Sequence, residues 1–262
     1  MATLAQEAPP PPPLAGEVAL APSRLELPLA PGQSRTEVVN VISSGSGGGK
    51  VRLLASLGDW TLNSAGDIKF GRAGTTPRSA TEWMIYSPVE FTVAAGEVHP
   101  IRVTVDVPKD TAPGDYTAVL FVEERPQDIK TQADRKQIRF HFRLAAIFYV
   151  MVTPLTKQGS LQGLEVTTST PNLMVVPKLK NQGNSHVRPV HSLEILDKAG
   201  KRVAEVAEAA PGPVLGGAEF LPSIAVPASL PPGEYTLKYR VDFKDGGKVV
   251  EGRKAFVIPP RG

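Results

Sequence analysis

The residues able to do chemistry in this chain are few and lie apart. Residues 45–50 read Gly-Ser-Gly-Gly-Gly-Lys, which invites a phosphate loop. Such a loop needs a glycine at position 44 and a Ser or Thr after the lysine to hold magnesium, and Ser44 and Val51 stand there instead. The segment also joins two strand-like runs rather than a strand and a helix, so it reads as a hairpin loop. The four histidines, His99, His141, His186 and His191, form no His-x-x-x-His pair. His186 and His191 are five residues apart in β-rich sequence, which turns them to opposite faces. The absence of cysteine removes disulfides, thiolate metal ligands and cysteine nucleophiles together. No Gly-x-Ser-x-Gly elbow occurs, and the carboxylates are scattered over turns and strand edges. The expectation is a protein with no catalytic residue, no metal site and no cofactor. It is not expected to be an enzyme.

Residues 138–152 carry the most informative pattern. Ile138, Phe140, Phe142, Leu144, Ala146, Phe148, Val150 and Val152 share one face of an extended strand. The other face runs Arg139, His141, Arg143, Ala145, Ile147, Tyr149, Met151, changing from basic to apolar halfway. At roughly 3.3 Å per residue the strand would reach about 50 Å. Two readings of the second face stand side by side. It is buried again under a neighbouring domain, or it meets another protein by β-strand addition, in which a partner's strand pairs through the main chain. A basic stretch beside an apolar one suits an incoming strand that ends in a carboxylate. The candidate partner-binding residues are therefore Arg139, Arg143, Ala145, Ile147, Tyr149 and Met151, with Arg24 as a second cation.

The elements that must position this strand are also strands. The chain's 24 glycines and 26 prolines punctuate short hydrophobic runs, the composition of an all-β protein with many turns. Residues 98–107 alternate clearly, with Ile101, Val103, Val105 and Val107 on one face and Arg102, Thr104 and Asp106 on the other. No segment sustains a 3.6-residue period. Residues 1–16, with prolines at 9–13, read as a semi-rigid tether. Thr3, Leu4 and Ala5 before Gln6 look like the small-residue end of an export signal. Residues 17–155 then form one immunoglobulin-like β-sandwich and residues 156–262 a second in tandem, the latter with about seven strands. A repeat supports the division: Val107-Pro108 and Pro113-Gly114-Asp115-Tyr116-Thr117 recur 119 residues later as Val226-Pro227 and Pro232-Gly233-Glu234-Tyr235-Thr236. Both tyrosines fit a tyrosine corner, the hydroxyl bonding back to the turn. The net charge of +3 comes with basic and acidic residues interleaved and no basic stripe, which argues against a nucleic-acid partner. No apolar run approaches the roughly 18 residues that span a membrane.

Residues 23–27, Ser-Arg-Leu-Glu-Leu, resemble the first strand of periplasmic pilus-assembly chaperones of the PapD-like, two-domain type. Residues 82–88, Phe91, residues 95–97 and residues 101–103 are similar to that family's middle segment, and residues 147–154 to its last strand of domain one. The charged segment 124–137 stands where the family has a long loop before that strand. In the second domain, residues 181–188 and 231–235 look like the bacterial immunoglobulin-like domain that often follows. The resemblance implies a chaperone in the periplasm or another extracytoplasmic space that docks a pilin-like subunit on the long strand. It also implies that an arginine and a lysine hold the subunit's terminal carboxylate. Arg24 takes the arginine's place, but Phe148 occupies the lysine's, between Ile147 and Tyr149; Arg143 and Arg139 are substitutes at a different spacing. The alternative from another class is a structural or adhesive surface module that binds cell-wall polymer or another surface protein.

Overall fold

The computed structural model describes residues 18–44, 50–125, 142–168, 173–227 and 230–260. The proline-rich tether, the glycine loop 45–49, Arg139, His141 and the strand start at 138–141 lie outside the described residues.

Among the described residues up to 152 there are ten strands: β1 (Val18–Ala21), β2 (Arg24–Leu29), β3 (Ser34–Ser43), β4 (Lys50–Leu62), β5 (Ile68–Arg72), β6 (Met84–Ser87), β7 (Glu90–Ala94), β8 (Val98–Asp106), β9 (Gly114–Glu124) and β10 (Arg143–Val152). They form a four-stranded sheet in the order β1-β3-β8-β6 and a six-stranded sheet in the order β2-β10-β9-β4-β5, with β7 on β4. Alternation explains the core between them. Ile101, Val103 and Val105 of β8 and Leu25, Leu27 and Leu29 of β2 are buried, while Arg102, Arg24 and Glu26 are exposed.

After residue 158 come β11 (Gly159–Thr167), β12 (Leu173–Asn181), β13 (Val190–Asp197), β14 (Arg202–Ala209), β15 (Glu219–Phe220), β16 (Ile224–Val226), β17 (Gly233–Asp242) and β18 (Val250–Ile258). One sheet joins β11, β12, β15 and β16; the other has the order β14-β13-β17-β18. Leu193, Ile195, Leu237, Tyr239, Val241 and Phe243 fill the core between them. Gly159 is required there, because a Cβ would stand 2.0 Å from the Phe243 ring. The chain is thus an all-β protein of two immunoglobulin-like sandwiches.

Compactness divides the chain less cleanly than its sheets do. One unit takes the described residues up to Trp60, Phe70–Thr111 and Tyr116–Val150; the other takes Thr61–Lys69, Ala112–Asp115 and those from Met151 onward. Tyr116 and Tyr235 each stand third in their strands, β9 and β17. The Tyr235 hydroxyl donates to the Pro231 carbonyl at 2.8 Å, closing the corner expected of it.

Proline and turn chemistry set three element boundaries. Residues 18–29 are two strands in different sheets, because Pro22 lacks an N–H to continue the ladder and the chain crosses over there. Residues 218–226 break into β15 and β16, with Pro222 between them. Trp83 closes a single 3₁₀ turn, Thr81–Trp83, ahead of β6.

Candidate functional site

β10 lies between β2 and β9, so along this pairing it is an interior strand. From Ala146 onward its even positions, Ala146, Phe148, Val150 and Val152, are fully buried. Its odd positions are graded: Arg143 is exposed, Ala145 and Ile147 half-buried, Tyr149 and Met151 buried. Tyr149 and Met151 are therefore no part of an open surface. Tyr149 meets Trp60 edge-on, ring centroids 4.9 Å apart, and the Trp60 indole N–H donates to the Phe148 carbonyl at 3.3 Å. Two large aromatics close this end of the face, as their size and the indole's need for an acceptor require.

At the other end the strand opens. Phe142 and Leu144 are half-buried on one face, Ala145 and Ile147 on the other. The six-residue β2 cannot pair the whole of the ten-residue β10. Ile147 donates its N–H to the Ser23 carbonyl at 2.9 Å, at the mouth of β2.

No family model matches the chain, and no curated protein matches it in sequence. Solved structures do. The chain is similar to fimbrial chaperones. It matches a structure of the chaperone–tip adhesion subunit pre-assembly complex from the archaic chaperone-usher Csu pili of Acinetobacter baumannii. That match has a TM-score of 0.48 and 14% identity, over 89% of this chain and 97% of that one. The class 5 fimbriae chaperone CfaA gives 0.47 and 13%, over 90% and 98%. The E. coli chaperone DraB gives 0.42 and 14%, over 92% and 96%.

The arginine–lysine anchor expected from the sequence resemblance meets a different set of residues in the structure. Phe148, at the lysine's place, is fully buried, so no cation reaches the surface from that position. Arg24 stands next to Ser23 and so beside mid-strand; it is exposed, with Nε 3.5 Å from Glu26 Oε1. Arg143 lies four residues up the strand from Ile147, roughly 13 Å away.

Arg143 belongs instead to a cation–aromatic platform that the sequence reading missed. Its Nε donates to Glu123 Oε2 at 2.7 Å, and its guanidinium lies over the Phe121 ring, 4.9 Å from the centroid. Phe70, 51% exposed, meets Phe121 edge-on at 5.1 Å. Gly58 makes room: a Cβ there would stand 2.7 Å from the Phe121 ring and 2.9 Å from the Gly71 carbonyl. A glycine inside a strand run marks such close approach, and Gly58 was the legible signal. Nearby, Arg52 and Arg125 both pair with Glu90, and Arg125 above all holds its carboxyl below the usual range.

The remaining polar groups do structural work. Buried Asp59 on β4 accepts the N–H groups of Thr75 and Thr76 at 2.7 Å each and the Ser79 hydroxyl at 2.6 Å, pinning the loop after β5. His99 stacks on Phe91. In the second unit, His186 Nδ1 lies 2.6 Å from Asp115 Oδ2, and His191 Nδ1 lies 2.8 Å from the Tyr239 hydroxyl. Among the described residues no three His, Asp or Glu side chains are grouped to hold a metal ion, and no helix is long and apolar enough to cross a membrane.

Proposed function

We propose that this protein is a periplasmic, non-enzymatic chaperone that holds a pilin-like or other surface subunit by β-strand addition at the start of β10. The observation that carries this reading is the opening of β10. Around Phe142, Leu144, Ala145 and Ile147 it leaves apolar side chains half-exposed on both faces. A strand end with apolar side chains on both faces is what a subunit lacking a strand of its own would accept. The named structures to which the chain is similar include a chaperone with its adhesion subunit, which agrees with a protein partner for this chain.

The test is amide hydrogen exchange on the full chain, with and without a fimbrial subunit that lacks its final strand. Strand addition slows exchange at residues 142–147 and leaves β14 unchanged. Slowing confined to the second sandwich would instead favour an adhesive surface module.

A further inference from the structure

The second unit carries a cationic groove that the β10 reading does not use. On one face of the β13-β17-β18 sheet the register sets Glu194, Lys238 and Arg253 in one row, with Leu196, Thr236 and Ala255 in the next. A groove of about 570 Å³ opens over this area, lined by Lys198, Thr236, Lys238 and Arg253, with Ala255 and Val257 as apolar wall.

Each acid around the groove is already engaged. Glu194 pairs with Arg202, Glu251 with Arg240 and Glu234 with Lys198, each at 3.1 Å. Asp197 Oδ1 accepts the N–H groups of Ala199 and Lys201 at 2.9 Å. Lys238 and Arg253 sit directly opposite each other with no hydrogen bond or ion pair among the described residues, and the Thr236 hydroxyl beside them has none either. Like charges opposite one another in a ladder repel, and a concave wall concentrates their field. Such a pair is relieved by a bound anion.

We infer that this groove binds a phosphate group through Arg253, Lys238 and Thr236. A guanidinium fork, an ammonium and a hydroxyl together present donors in several directions, which suits a tetrahedral oxyanion; a carboxylate would use the fork alone.

The test is an amide NMR titration of the full chain with inorganic phosphate, glycerol phosphate and acetate at matched ionic strength. Phosphate should shift Thr236, Lys238 and Arg253 saturably and raise the melting temperature above that in chloride. Lys238→Met and Arg253→Gln should each weaken binding about tenfold, the size of one lost charge-assisted hydrogen bond. Lys198→Met should stay within about twofold. Tighter binding of glycerol phosphate assigns a phosphate carried on a small molecule, and equal binding assigns the free ion; both support the site. A response that does not saturate, that survives in Lys238→Met/Arg253→Gln, or that acetate matches would overturn it.

Discussion

Ile147 and Phe148 are neighbours on β10 that face opposite ways, and substituting each separates capture of a partner from folding. Phe148 is fully buried, and removing such a ring costs about 3–5 kcal/mol through lost transfer energy and the cavity left behind. At about 4 °C per kcal/mol for a sandwich of this size, Phe148→Ala should lower the melting temperature by roughly 12–20 °C. Ile147 is only half-buried. Full burial of an isoleucine contributes about 1.5–3 kcal/mol, so half of it is about 1 kcal/mol. An aspartate at a half-open position keeps much of its hydration, and its poor strand propensity adds at most about 1 kcal/mol. The backbone bond from Ile147 N–H to Ser23 is unaffected by the substitution. Ile147→Asp should therefore lower the melting temperature by only about 4–8 °C.

Capture should show the reverse order. With a fimbrial subunit lacking its final strand, Ile147→Asp should lose most of the co-purified subunit, because a charge now faces the incoming apolar strand. Phe148→Ala should retain capture per folded molecule. The assay is a paired thermal melt and affinity co-purification at one temperature below both midpoints. A melting loss for Ile147→Asp as large as that of Phe148→Ala would mean that its face packs inward. Unchanged capture would mean that the partner strand lies elsewhere. Either result refutes the reasoning.

Three further outcomes follow from single groups. Burial pushes the Asp59 carboxyl up, but the Ser79 hydroxyl and the Thr76 and Thr75 amides outweigh it and hold the group below its usual range. The unfolded chain then takes up the proton first, so this stabilisation is whole above about pH 4 and fades as pH falls further; Asp59→Asn should flatten melting temperature against pH in that acid range. Burial holds the His191 imidazole below its usual range, so the unfolded histidine protonates first and stability falls as pH drops through about 6.5. His191→Phe should have a shallower melting profile than wild type between about pH 7 and 5. Tyr235→Phe removes the hydrogen bond to Pro231 and should cost about 0.5–1.5 kcal/mol in a urea titration; no change in midpoint would show that the corner adds nothing.

The strand content was legible because alternation is a local property. Ile101, Val103 and Val105 repeat with period two, and the pattern by itself says which side is core. The Pro-Gly-acid-Tyr repeat pointed to two sandwiches in the same local way, and the second copy closes its corner through the Tyr235 hydroxyl on Pro231. Sheet membership is not local. Nothing in residues 18–29 except Pro22 says that the chain leaves the β3 ladder and joins β10. The neighbours of β10 were hidden likewise, as were Phe70 and Phe121, which come from strands far apart in sequence and meet only once β4, β5 and β9 are in register.

The ambiguity of β10 has a physical resolution that no pattern could supply. A strand apolar on both faces has the same sequence whether its second face is covered by its own chain or by another. Here the face is divided: Tyr149 and Met151 are covered by this chain, while Ala145 and Ile147 are half open. The proposed partner strand is thereby confined to the first half of β10, where the Arg143–Glu123 pair stands. That pair is solvent-exposed, and exposed pairs contribute only about 0.2–1 kcal/mol. On the proposed reading, an incoming carboxylate would displace Glu123 and take the guanidinium at little cost, with the arginine stacked over Phe121. On that reading, anchoring by exchange of an existing ion pair would require no second cation, which fits a chain in which Phe148 is buried in the core.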